Sequence, residues 1–326
     1  MEKFIIIFLV STLINELLLR TKLLPSFTGD LHQKFSSIKS VPLTGGVILL
    51  IFYTYFFFNN NELIYFCFFG IFILGILSDL KKIISANKRF LFQTIICFSL
   101  AMIGELEITN TRIDILDKII SNEIFNILFV TFCILIVING SNFIDGLNTL
   151  SLGYYFLIIC SLHFLKFDLA FDSVNLIYIF LTLLILNLFN KLYLGDNGSY
   201  LIGFLFSYLL IKLHATNNLI SPYFIILLLW YPAMEILFSI IRKKLKNKSP
   251  MLPDNEHLHQ LVFEKLNKKI NKKLFSNIIT ALILNFYNLN IFIIGSKFYN
   301  HHGFLITLIT INIFIYLISY IILKRI

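Results

Sequence analysis

Three aspartates stand where long apolar runs end. Asp79 closes the run GIFILGILS, Asp145 lies in NGSNFIDGLNTL, and Asp196 lies in KLYLGDNGSYLIG. Each adjoins a basic or glycine-containing segment. An ionised carboxylate at mid-depth in a bilayer costs about 2.5–3.5 kcal/mol on insertion scales. Three retained together point to a shared ligand, and carboxylates beside cations suit a divalent metal held against phosphate.

The first segment, residues 75–93, places Lys81, Lys82, Lys88 and Arg89 after Asp79. The carboxylate would hold metal while the cations take phosphate oxygens; the plain alternative is a span end with basic residues kept inside. In residues 139–150, Asn139, Asn142, Asp145 and Asn148 recur every three positions. Asp145-Gly146 is ordinary turn chemistry, but a turn does not require four polar side chains so spaced. In residues 191–203, Gly195 and Gly198 bracket Asp196 and Asn197. Glycine permits close backbone approach to a ligand, and the alternative is a short hairpin between helices.

The fourth segment, SPMLPDNEHLHQLVFEKL at 249–266, reads as a helix start at Pro253-Asp254 with Asp254 as N-cap. His257 and His259 would diverge on a helix, because residues two apart do not share a face; a common ligand requires irregular backbone there. Its bland reading is an amphipathic surface helix carrying Leu258, Leu261, Val262 and Lys265. The spacing does not complete a zinc site. A weaker signal is KSVPLTGG at 39–46, where Lys39, Pro42, Thr44, Gly45 and Gly46 enter an apolar run. Asn15 and Glu16 in the first run are equally compatible with packing, and His301 and His302 carry no catalytic expectation.

These segments sit in a chain of 326 residues, 58% hydrophobic and 14% charged, with mean hydropathy +0.84. Soluble domains carry about 25% charged residues, so the composition indicates an all-α polytopic membrane protein. Apolar windows long enough to cross a bilayer fall near 4–19, 43–58, 63–78, 90–104, 123–138, 149–165, 174–189, 198–213, 220–241, 274–295 and 303–323. The first reads as a span, not a cleaved leader. Alternate loops hold 21 of the 27 Lys and Arg residues, ten of them between Arg242 and Lys273. By the positive-inside rule that side is cytoplasmic, so eleven spans put the N-terminus outside and the C-terminus inside. All three aspartates then share the cytoplasmic face. The chain reads as one membrane domain, 1–326, with a cytoplasmic loop at 242–273. Cys67, Cys97, Cys133 and Cys160 lie in apolar runs, without metal or disulfide spacing. The net charge of +9 clusters beside spans, which favours anionic lipid and phosphate partners over nucleic acid.

The four segments, in this order and on one face, resemble the polyprenyl-phosphate N-acetylhexosamine-1-phosphate transferase superfamily. The histidine segment and the span count are similar to its bacterial undecaprenyl-phosphate GlcNAc-1-phosphate transferase branch. In that resemblance Asp79 matches the second acid of an Asp-Asp pair and Lys82 a basic residue after it. Asn142, Asp145 and Gly146 match Asn-Phe-x-Asp-Gly, with Asn148 just beyond. Asp196 matches a metal-binding aspartate, His257 and His259 a histidine motif near the pyrophosphate, and Lys39 with Thr44 to Gly46 a nucleotide-side entrance. An asparagine before the third segment corresponds to Asn187 or Asn190. The chain departs from the pattern at Ser78, where the first acid would stand, at Gln260 for a third histidine, and at Asn255 for a basic residue.

The resemblance implies Mg²⁺, with Mn²⁺ as substitute, held by Asp196, Asn142 and Asp79. Asp79, Asp145, Lys82, His257 and His259 would be catalytic, and Lys39, Thr44, Gly45, Asn142, Gly146, Asn148 and Asn187 would bind substrate. The implied substrates are a UDP-sugar and undecaprenyl phosphate, the implied place the inner membrane, and the implied role the first step of a lipid-linked cell-surface glycan. A homodimer is compatible with the sequence. The competing class is an ion-coupled transporter, whose acids would lie at the membrane midplane on broken helices, whereas these three lie at span ends.

Overall fold

The computed structural model describes residues 2–21, 23–24, 41–57, 62–104, 106–252 and 254–325. Among them are fourteen α-helices and no strand. In chain order these are α1 (Glu2–Thr21), α2 (Gly45–Phe57), α3 (Glu62–Asp79), α4 (Ala86–Ile103), α5 (Asp114–Ile120), α6 (Glu123–Ile144) and α7 (Leu150–Phe164). They continue as α8 (Ser173–Leu188), α9 (Gly195–Thr216), α10 (Pro222–Leu228), α11 (Trp230–Leu245), α12 (Leu258–Ile270), α13 (Lys273–Lys297) and α14 (His302–Arg325).

Each of the eleven apolar windows falls on one helix, except 220–241, which falls on α10 and α11 joined at a 75° bend. Five described helices, α1, α6, α9, α13 and α14, are long and apolar enough to cross a membrane, and six such spans result if the bent pair counts as one. The helices α2, α3, α7 and α8 are apolar but shorter. The bend has a local cause. Pro232 has no N–H to offer the carbonyl of Leu228, four residues earlier. The Tyr154 hydroxyl of α7 donates to that carbonyl at 2.8 Å instead.

Helix α9 is the axis of the bundle. It packs mainly against α3, α6 and α2, and nearly all of its middle is buried. Small residues permit this close approach, as they do between membrane helices generally. Ser199, Gly203 and Ser207 recur every four residues along α9. A Cβ at Gly203 would lie 2.6 Å from the Cα of Ile138 in α6. From the other side, Gly46 of α2 and Gly75 of α3 press their backbones onto Asn197.

The contacts also show which helix ends lie together. The last turns of α3 and α6 and the first turns of α4 and α9 meet around Asp196. Asn15 of α1 joins them by donating to the Lys191 carbonyl and accepting from Thr44 before α2. The start of α13 reaches the α6–α7 turn through Asn277, and the end of α14 reaches the 254–257 loop through Lys324. The four chemistry-bearing segments therefore gather at one end of the bundle.

One expectation needs correction. The helix in the fourth segment begins at Leu258, with His257 as the extended N-cap, not at Asp254. Asp254 turns Oδ2 to Arg242 at 2.6 Å, while its Oδ1 accepts from no backbone N–H, so it caps no helix start. Gln260 instead closes the turn by accepting from the His257 N–H at 3.1 Å. Pro253 lies outside the described residues.

Replacing Gly203 with leucine drives side-chain atoms into the α6 backbone, a form of overpacking that costs about 1–3 kcal/mol or more. The expected outcome is a clear drop in the thermal unfolding midpoint of the detergent-solubilised protein, measured beside wild type.

Candidate functional site

The site is assembled around the first turn of α9. Four N–H groups at a helix start lack intrahelical partners, and the usual remedy is a side chain just before the helix. Here it comes from another helix. Asp79, 6% exposed at the end of α3, accepts from the N–H of Asp196 at 2.8 Å and of Asn197 at 3.0 Å. It also accepts from the Asn197 side-chain amide at 2.5 Å. Gly195 turns the chain into α9 with φ +69°, and a Cβ there would stand 2.8 Å from the Asp79 carboxylate. Only glycine meets both conditions without strain.

Asp79 thereby fixes the position of Asp196, whose carboxylate points to the opposite side of the same turn. One oxygen, Oδ1, accepts from Asn142 Nδ2 at 2.7 Å. The other, Oδ2, accepts from Arg89 Nη1 at 3.0 Å, from the Tyr200 hydroxyl at 3.2 Å and from the Ser78 hydroxyl. Arg89 also donates to Ser78 Oγ at 2.6 Å. The residue standing in place of an acid therefore serves as a bridge between the guanidinium and Asp196.

Asp145 caps the end of α6 beside this cluster. Among the described residues no hydrogen-bond donor reaches its carboxylate. Burial pushes its carboxyl above the usual range, and the Asp196 and Asp79 carboxylates push it the same way. The turn that follows is held from α8, the loop after it and α13. The Asn148 N–H donates to Asn277 Oδ1 at 2.8 Å, and the Asn148 side chain donates to the Asn187 carbonyl and to Asn190 Oδ1. Asn187 Oδ1 accepts from the Thr149 N–H at 2.6 Å, while Asn285 donates to the Thr149 carbonyl at 2.9 Å. Thr149 itself is left-handed, with φ +67°. A conformation that disfavoured needs outside support, and the amides supply it. Asn148 and Asn187, expected as substrate contacts, thus spend their side chains on shaping the turn.

His257 and His259 do come together. Because His257 precedes the helix, its ring stacks on that of His259, with centroids 5.7 Å apart and planes 13° apart. Both face Glu235 of α11, and His257 Nδ1 lies 2.9 Å from its carboxylate. His259 is fully buried with neither ring nitrogen hydrogen-bonded, and burial lowers its pKa against the opposing pull of Glu235. Its Nε2 faces Gly146, where a Cβ would lie 2.6 Å away. Gly146 therefore brings the histidine pair and the Asp145 turn into contact. Outside this contact, Glu256 ties Lys246 and Lys324 into the same loop at 2.6 Å each. Against burial, those two ammonium groups bring its carboxyl down to about 2.

Lys82 is exposed one turn beyond Asp79, with no described residue paired to its ammonium. Thr44 and Gly45 lie at the rim, where Thr44 is buried on Asn15 and Gly45 packs against Leu194. Lys39 lies outside the described residues. Sequence reasoning passed over Arg89, read only as one of four cations, and Glu235, an acid inside an apolar run. The position of Glu235 within that run was the available signal, since a membrane-depth acid is a functional candidate in its own right.

The donor set suits Mg²⁺, which takes oxygen ligands, commonly one or two carboxylates completed by substrate phosphates and water. Asp196, the Asn142 amide oxygen after a flip, and the unpartnered Asp145 are of that kind. Among the described residues no three His, Cys, Asp or Glu side chains are grouped to hold a metal ion.

A family model, glycosyl transferase family 4, matches residues 61–214, which include the first three segments but not the histidines. The undecaprenyl-phosphate alpha-N-acetylglucosaminyl 1-phosphate transferase of Salmonella typhi is 31% identical over 149 residues, covering 42% of this chain and 41% of the relative. The Escherichia coli K12 protein of the same name is 30% identical over the same shares. A probable undecaprenyl-phosphate N-acetylglucosaminyl 1-phosphate transferase of Bacillus subtilis is 28% identical over 204 residues, 59% of this chain and 55% of that protein. The matches thus span about half the length of these relatives or less.

Removing the cap from another helix exposes the α9 start. Asp79→Ala is expected to lower stability by about 2 kcal/mol, the upper end for loss of a cap. Chemical denaturation in detergent would register this as a lower midpoint; an unchanged midpoint would mean that Asp79 does not hold α9.

Proposed function

We propose that this chain is a member of glycosyl transferase family 4, whose model matches residues 61–214, and that it carries out the transfer for which its relatives are named, of a sugar-1-phosphate to undecaprenyl phosphate, here from a UDP-sugar. An acceptor phosphate oxygen attacks the β-phosphorus, the bond to the bridging oxygen breaks, and UMP leaves with the electron pair. The sugar is an N-acetylhexosamine by the relatives' names. The observation that carries this reading is the convergence of Asp79, Asn142, Asp145 and Asp196 with Arg89 at a single helix start. Carboxylates, amide and guanidinium at one point suit a pyrophosphate with its cation.

In this reading Asp196 and Asn142 hold Mg²⁺ or Mn²⁺, and Asp79 acts by holding Asp196. The metal supplies neutralisation of the diphosphate charge. Asp145, with its carboxylate unspent, orients the acceptor phosphate. That phosphate is largely dianionic near neutrality, since its second pKa is near 6, so a strong base is unnecessary and serine at position 78 is tolerable. Lys82, His257 and His259 steady the leaving UMP. Lys39 and the Thr44 to Gly46 entrance lie on the nucleotide side. We also assign eleven crossings to the chain, with the N-terminus outside and the site facing the cytoplasm of the inner membrane, from the charge asymmetry of its loops. Acids gathered at helix ends beside cations fit phosphoryl transfer better than midplane ion coupling.

The test uses purified protein in detergent, undecaprenyl phosphate and a panel of UDP-sugars, scored for UMP and lipid product. Asp196→Ala is expected to cut turnover by at least about 10²-fold, as loss of a central electrostatic group does. Wild-type rates in that variant would remove the assignment. A second measurement addresses Arg89, whose guanidinium sits on the Asp196 carboxylate and would compete with a cation for its charge. Arg89→Gln is expected to tighten Mn²⁺ binding several-fold in spin-resonance titrations, and weaker binding would mean that Arg89 supports the metal instead of competing with it.

A further inference from the structure

We infer that Glu235 is a positioning residue that orients His257 and His259 and sets its negative charge beside both rings, so that His259 Nε2 is presented to a phosphate oxygen at the Asp145-Gly146 turn. The inference rests on the reading that this end of the bundle binds a diphosphate, and it adds a residue outside all four segments and outside the matched region.

Glu235 is 1% exposed. A buried carboxylate is retained only where donors compensate its lost hydration; on this one they come from the histidine segment, and the Tyr231 and Tyr316 hydroxyls also interact with it. His257 Nδ1 lies at 2.9 Å, the Leu258 N–H donates to Oε1 at 3.2 Å, and His259 Nδ1 stands 3.7 Å from Oε1. On its other edge, His257 Nε2 is 3.3 Å from Asp254 Oδ1. That Asp254 oxygen makes no hydrogen bond. A carboxylate can only accept, so His257 Nδ1 is the donor to Glu235, and that contact fixes the ring's orientation. Asp254 is itself held by Arg242 at 2.6 Å, with Lys243 at 3.8 Å. The charged groups around the pair are therefore Glu235, Arg242 and Lys243 from α11, Asp254 from the loop, and Asp145 from the α6–α7 turn.

His259 differs from its neighbour. Its Nδ1 faces Glu235, while Nε2 is buried, unpartnered and pressed against Gly146. Leaving a buried polar atom unsatisfied is costly, a cost that an arriving phosphate oxygen would remove. The hydrogen bond at one ring nitrogen decides what the other can offer. With Nδ1 directed to Glu235, Nε2 is the nitrogen that faces the turn, where an arriving phosphate dianion would draw a proton onto it. Glu235 thus acts through the histidines, without touching the substrate. A purely structural alternative exists, since Glu235 also braces the start of α12 through Leu258.

Glu235→Gln separates the two roles, because the amide keeps an acceptor for Leu258 and loses the charge. The full-length protein in nanodiscs would be labelled at histidine nitrogen and titrated by NMR, with His257→Gln used to assign the signal. The charge role predicts that the His257 midpoint falls by about one pH unit, a tenfold change in proton affinity. It also predicts that the alkaline limb of turnover moves down with it, with kcat reduced more than KM. A folded Glu235→Gln protein with an unshifted histidine titration, or with equal loss at every pH, would overturn the inference. If wild type releases no UMP while the titration shift is present, the transferase reading fails and the positioning role stands. Where Glu235→Gln does not fold, Glu235→Asp carries the test. Retained charge on a shorter arm predicts an unmoved alkaline limb with kcat down at least about fivefold, in line with loss of orientation, and an unchanged kcat would overturn the inference.

Discussion

The site depends on one carboxylate meeting one helix start. Asp79 lies 117 positions from the residue whose N–H it accepts, and without that contact the first turn of α9 would present bare donors at the edge of an apolar bundle. Two consequences follow from the geometry. The Asp196 side chain is turned away from Asp79 toward Asn142 and Arg89, and the helix dipole, positive at this end, favours anions gathered there. The glycines at 46, 75, 195 and 203 matter because they let α2, α3 and α6 come close enough to α9 for the contact to form.

Around that contact the structure repeats a single device, in which a side chain from a distant helix settles the backbone of a short turn. Asn187, Asn277 and Asn285 do this for the left-handed turn at Asn148-Thr149, and Glu235 does it for His257-Leu258. Rigid support of this kind is what a phosphoryl-transfer site requires, because positioning and electrostatics supply most of its catalysis.

Much of this could be read from the chain. The apolar windows located every long helix, since a bilayer-length run leaves its backbone little alternative to helix. The polar punctuation of those runs located the three aspartates. What could not be read was which polar residue faces a ligand and which faces the protein. Asn148 and Asn142 lie six residues apart in one polar series, yet one shapes a turn and the other meets Asp196. The difference is set by α8 and α13, which arrive from later in the chain. Arg89 was one cation among four until α4 packed beside α3, and Ser78 was a missing acid until Arg89 stood next to it. The start of α12 was misplaced for the same reason: Asp254 has the chemistry of an N-cap but is taken by Arg242.

The central claim is that Asp79 acts through Asp196. A double-mutant cycle on kcat/KM for UMP release, with Asp79→Ala, Asp196→Ala and the pair, measures this directly, because residues working as a unit are non-additive. The predicted result is that the double variant is no worse than Asp196→Ala alone. Losses that simply add would show that the two carboxylates act independently, and would contradict the account.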